Sequence, residues 1–92
     1  MSSPPEPTHL NNHHRNTLHQ LFQRPVGHNI EWHSVVSLLE AVGSVTTHHD
    51  GKVAVTVGAQ SLVLSPPTGK DIDARTVTDL RAMLAAAGYS GG

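Results

Sequence analysis

Eight of the 92 residues are histidine, the side chain best suited to moving protons near neutral pH, because imidazole as a class titrates at about 6.5. His48 and His49 are adjacent and lie immediately before Asp50-Gly51. On an extended chain neighbouring side chains point to opposite faces, so only one of the two can look onto a given sheet surface. A histidine placed there beside cations can act as a general acid or base on an anionic substrate. Lys52 follows the same turn, and Lys70, Arg75 and Arg81 are the remaining cations of the C-terminal half, the candidate phosphate contacts. The same residues also have an ordinary reading, as solvated hairpin side chains, an edge charge and helix-surface charges.

A second chemistry, metal binding, is tested by spacing. Two ligands on one helix share a face at i and i+4. His13 and His14 are adjacent, and His14 and His19 are five apart, so no single-helix zinc site is expected. Without cysteine there is no thiolate site and no disulfide framework. No metal and no cofactor are predicted.

Composition narrows the function classes. Six Lys and Arg stand against seven Asp and Glu, for a net charge of −1. There is no global pull toward nucleic acid or an anionic membrane, although the histidines make the chain increasingly cationic below neutrality. No run approaches the roughly 18 apolar residues of a membrane span, and no signal peptide is visible. A cytoplasmic location without membrane association is the expectation. One Phe, one Trp and one Tyr leave the core to Val, Leu, Ile and Ala.

These candidates have to be held by a short run of elements. Residues 44–49 and 52–57 read as two strands joined at Asp50-Gly51, where a type I′ turn would require φ > 0 at both positions. In the second strand Val53, Val55 and Val57 alternate with Lys52, Ala54 and Thr56, giving one apolar face. A third strand spans 61–64 and ends before Pro66-Pro67, which cannot keep donating to a ladder. A helix is predicted over 32–42 from Trp32, Val35, Val36, Leu39 and Val42, with Gly43 as a left-handed cap. Another spans 73–87, with Asp73 as N-cap, Ile72 stapled to Val77, a stripe of Val77, Leu80, Leu84 and Ala87, and Gly88 as its end. A shorter helix at 13–22 carries Leu18, Leu21 and Phe22 on one face and stops at Arg24-Pro25. The expected fold is therefore α+β in the order α-α-β-β-β-α, with a three-stranded antiparallel sheet covered by helices on one face. One domain over 10–89 is expected, between a disordered leader at 1–9 and a frayed tail at 90–92.

Three stretches make the chain resemble a known family. WHSVVSLLEAVG from Trp32 is similar to the opening helix of the HicA toxins, SLVLSP from Ser61 to their third strand, and TVTDLRAMLAAAGY from Thr76 to their closing helix. The likeness covers 31–89, about two-thirds of the chain, and leaves the helix at 13–22 as an extension. HicA toxins are small ribonucleases of bacterial and archaeal toxin–antitoxin modules with a double-stranded-RNA-binding-domain-like fold. The resemblance implies a metal-independent mRNA endoribonuclease silenced by a cognate antitoxin; residue type and context make His48 and His49 the catalytic candidates and Lys52, Lys70, Arg75 and Arg81 the RNA contacts. One departure stands out. The family's catalytic histidine follows a Gly-Ser pair at the start of the second strand, where this chain reads Asp50-Gly51-Lys52-Val53. The alternative is a catalytically degenerate module on the same fold, binding RNA or a protein partner without cleavage. Exposed strand edges also leave room for a homodimer.

Overall fold

The computed structural model describes residues 10–23 and 29–89. The predicted leader, the Arg24-Pro25 helix stop, the glycine loop that follows it and the C-terminal tail lie outside these residues, wholly or in part.

The elements are α1 (Asn12–Phe22), α2 (Trp32–Val42), β1 (Ser44–Thr47), β2 (Val53–Val57), β3 (Gln60–Leu64) and α3 (Ala74–Ala86). The fold is α+β in the expected order. The strands form one antiparallel sheet in the order β1-β2-β3, with Val45 opposite Val55 and Val55 opposite Leu62. Val53, Val55, Val57 and Leu64 are buried, whereas Thr56, Ser61 and Val63 on the other face are exposed. The period-two pattern thus leaves one face under the helices and one face open.

Three helices make the cover. α3 is capped at Asp73, whose carboxylate accepts the Thr76 N–H at 2.8 Å. The Thr76 hydroxyl and then this N–H hold the Asp73 carboxyl below its ordinary value of 3.8. Val77, Leu80, Met83 and Leu84 are buried, and Ile72 joins the same core. Gly88 ends the helix at φ 99°, while Tyr89 N–H reaches back to Leu84 O at 2.9 Å. α2 buries Val35, Leu38 and Leu39, so its apolar stripe is centred one position from the predicted one, and Trp32 and Val42 are half-buried. Fully buried leucines such as Leu38, Leu39 and Leu80 each stabilise the domain by about 1.5–3 kcal/mol relative to exposure. α1 docks on both other helices. Leu18 and Leu21 enter the core, His14 Nε2 is 2.9 Å from Ser37 Oγ on α2, and Arg81 on α3 donates to Leu21 O at 3.0 Å and Gln23 O at 3.2 Å.

Two glycine expectations are corrected. Gly43 follows α2 with φ −165° and ψ −143°, extended rather than left-handed. Glycine is required there by proximity: a Cβ would collide with the Thr56 carbonyl oxygen and lie 3.1 Å from Val57 Cα. At the first hairpin only Gly51 has positive φ, 93°, so the turn is not type I′. His48 N–H donates to Lys52 O at 2.8 Å and Gly51 N–H to His48 O at 2.9 Å. These bonds define a three-residue loop with a glycine bulge, which is why the flanking strands are shorter than predicted. Gly58, at φ 60° in the two-residue turn between β2 and β3, has the position and sign of a type II′ turn.

Candidate nucleic-acid interface

Register and contacts place the ends of the elements. Val53 pairs with Thr47 and with Leu64, so the β1–β2 hairpin loop and the exit of β3 lie side by side. At the opposite end of the sheet, Gly43 meets Thr56, and Gly58 lies beside Ala87 near the end of α3. α2 and α3 therefore both start at the hairpin end and run away from it. Their starts are joined by an isolated bridge between Glu31 and Asp71: Trp32 N–H donates to Lys70 O at 2.7 Å and Ile72 N–H to Ile30 O at 2.9 Å. Two helix N-termini, with the partial positive charge of their free N–H groups, face the same end of the molecule.

That end gathers five of the six candidate site residues. His48 and Lys52 are cross-strand neighbours, and alternation from the inward-facing Thr47 and Val53 puts both on the open side of the sheet. His49 sits in the loop itself. Lys70 precedes the bridge to α2, and Arg75 lies in the first turn of α3; all five are exposed. Arg81 is not among them. It stands midway along α3, half-buried, with its guanidinium on the carbonyls that end α1. Carbonyls at a helix C-terminus lack intrahelical partners and carry partial negative charge, so a guanidinium satisfies both needs.

The electrostatics of this end are balanced rather than basic. Lys52, Lys70 and Arg75 stand against Glu31, Asp50, Asp71 and Asp73. Two of the carboxylates are turned to backbone donors, Asp50 Oδ1 to Lys52 N–H at 3.0 Å and Asp73 Oδ1 to Thr76 N–H. Asp71 Oδ1 is buried and has no hydrogen-bond partner among the described residues, beside a hollow of about 250 Å³ lined by Ser65, Thr68, Asp73 and Thr76. What this end presents is three exposed cations and two helix N-termini among four carboxylates, not a broad positive field. Among the described residues no group of three or more His, Asp or Glu side chains is positioned to hold a metal ion, and no helix is long and apolar enough to cross a membrane.

The remaining open face is small and neutral. Ser44, Thr46, Ala54, Thr56, Ser61 and Val63 form it, and Val63, at 59% exposure, is the exposed large hydrophobic side chain among the described residues. β1 and β3 are both sheet edges. Sequence reasoning missed a polar cleft between α1 and the start of α2. The spacing of Asn16 and Gln20, four apart on one helix face, was the available signal, but it acquires meaning only once α1 is docked. Compared with protein-family models, with curated proteins and with solved structures, the chain matches none of them.

Proposed function

We propose that the protein is a HicA-like toxin of a toxin–antitoxin module that binds mRNA at the hairpin end of its sheet. The observation that carries this reading is the convergence of His48, His49, Lys52, Lys70 and Arg75 with two helix N-termini at one end of the fold. The element order, which follows the family resemblance with one added N-terminal helix, supports it. In this reading Lys52, Lys70 and Arg75 contact phosphates, and His48 takes the proton of a 2′-hydroxyl. The 2′-oxygen then forms a bond to phosphorus, the bond from phosphorus to the 5′-oxygen breaks, and the departing oxygen takes a proton from water. Lys52, across the strand pair from His48, offsets the negative charge that develops on the phosphate. A cognate antitoxin would silence the protein by covering this end, and the free edges of β1 and β3 give it, or a second copy, a ladder to pair with.

A second reading keeps the fold and the RNA or protein contact but drops cleavage. It is favoured by the absence of a histidine after Gly51 and by the near balance of charges around His48. Induced expression in a bacterial host decides between the two. Growth arrest with cleaved transcripts, lost in His48→Ala by roughly the 10²–10⁴-fold that a general base contributes, supports the toxin. Unaffected growth and intact RNA leave the non-catalytic module.

A further inference from the structure

α1 is the part of the chain that the resemblance does not cover, and its docking creates a cleft. The walls are His13, Asn16, Thr17 and Gln20 from α1, and Asn29, Glu31, His33 and Ser34 from the start of α2. Its volume is about 280 Å³, near the lower limit of roughly 300 Å³ for small-molecule sites. That suits one small planar ligand and excludes a helix or a duplex. Among the described residues the lining carries three side-chain amides, two imidazoles, two hydroxyls and one carboxylate, and no large aliphatic side chain. The Glu31 carboxylate is 44% exposed and 3.5 Å from His33 Nδ1. That is an ion-pair contact of one oxygen, Oε1, and too long for a strong hydrogen bond, so a ligand with two adjacent N–H donors can displace the imidazole and take both oxygens.

We infer that this cleft is a pocket for a single unpaired guanine base of RNA. The inference rests on the RNA-binding reading above and names what the added helix contributes to it. A carboxylate only accepts hydrogen bonds, and an amide both donates and accepts. Guanine presents two adjacent donors, N1–H and the N2 amino group, which the two oxygens of Glu31 can take together. Adenine and cytosine offer an acceptor at the corresponding ring nitrogen, and uracil flanks its single N–H with carbonyls, so each would set lone pairs against the carboxylate. Asn16, Gln20 and Asn29 supply N–H donors for O6 and N7 of guanine. His33, with its side chain 71% exposed at the rim, offers a ring that can stack on the base once Glu31 turns to the ligand. Position fits too: Glu31 and His33 flank Trp32, whose N–H is bonded to Lys70 O, so the cleft adjoins the segment that carries Lys70.

The test is a backbone-amide NMR titration of the full chain with guanosine, adenosine, cytidine and uridine, and with a short single-stranded oligouridine RNA. Guanosine should shift the amides of Asn16, Gln20, Glu31 and His33 and bind about tenfold more tightly than adenosine, the discrimination of one bidentate base contact. Glu31→Gln, which keeps the shape and removes one acceptor, should abolish that preference. Gln20→Ala on the opposite wall should weaken guanosine binding while the spectrum remains that of the folded chain. Equal binding of all four nucleosides, or no shift in the cleft, overturns the pocket. If oligouridine still moves the hairpin amides in that case, RNA binding stands without it. If guanosine fills the cleft and no RNA moves the hairpin, the pocket stands and the RNA interface falls.

Discussion

Replacing Arg81 with methionine separates the two roles open to that residue. Its guanidinium donates through Nε to Leu21 O at 3.0 Å, in a half-buried setting, and through one terminal nitrogen to Gln23 O at 3.2 Å, near solvent. A hydrogen bond from a charged donor contributes about 1.5–3 kcal/mol, and the exposed one belongs at or below the bottom of that range. Met keeps the aliphatic stem, so packing loss is small and the expected cost is about 2 kcal/mol. For a domain of this size the urea m-value is about 1 kcal/mol/M. The unfolding midpoint should therefore fall by about 2 M, at unchanged m, and the melting temperature by about 8–16 °C. Hydrogen exchange should localise the effect, with the amides of α1 losing protection before those of β2. An unchanged midpoint together with weakened, less salt-dependent RNA binding would refute the argument and return Arg81 to the phosphate contacts.

Other perturbations probe the frame. Gly43→Ala forces a Cβ against the backbone of the central strand and should destabilise by about 1–3 kcal/mol in urea unfolding; a neutral result would mean that α2 and β2 are not in contact there. Leu80→Ala, at a fully buried position on α3, should cost about 2–5 kcal/mol, a large share of a total stability of about 5–15 kcal/mol. The Asp73 carboxyl is held below its ordinary value by Thr76, so its contribution is complete above pH 3.8 and is lost as pH falls through the lowered folded-state value. Asp73→Asn keeps a capping oxygen and should flatten the acid limb of the stability–pH curve, as followed by circular dichroism.

Local signals made most of the fold legible. Asp73 and Gly88 bracket α3 because caps are properties of a few consecutive residues, and the valines of β2 alternate because one face is buried whatever covers it. What the chain hid depends on contacts distant in sequence. Gly43 looks like a helix cap, and is glycine because Thr56 passes beside it. Asp50-Gly51 fits a two-residue turn, but Asp50 turns its carboxylate to Lys52 N–H and leaves the left-handed conformation to Gly51 alone. Of the candidate site, His48, His49, Lys52, Lys70 and Arg75 come to one end because the hairpin loop and the start of α3 sit at the same edge of the sheet. Arg81 looked equivalent by charge. Only the docking of α1, more than fifty residues upstream, turns its guanidinium to the carbonyls of Leu21 and Gln23 and opens the cleft at Glu31.

The most direct test of the interface is a map of backbone amide shifts as a short single-stranded RNA is added at low salt and slightly acidic pH. The shifts should concentrate at 48–52, at 65–76 and in the first turn of α2, and fade as salt is raised. Shifts confined to Gly43, the Gly58-Ala59 turn and the end of α3, or none at all, would contradict it.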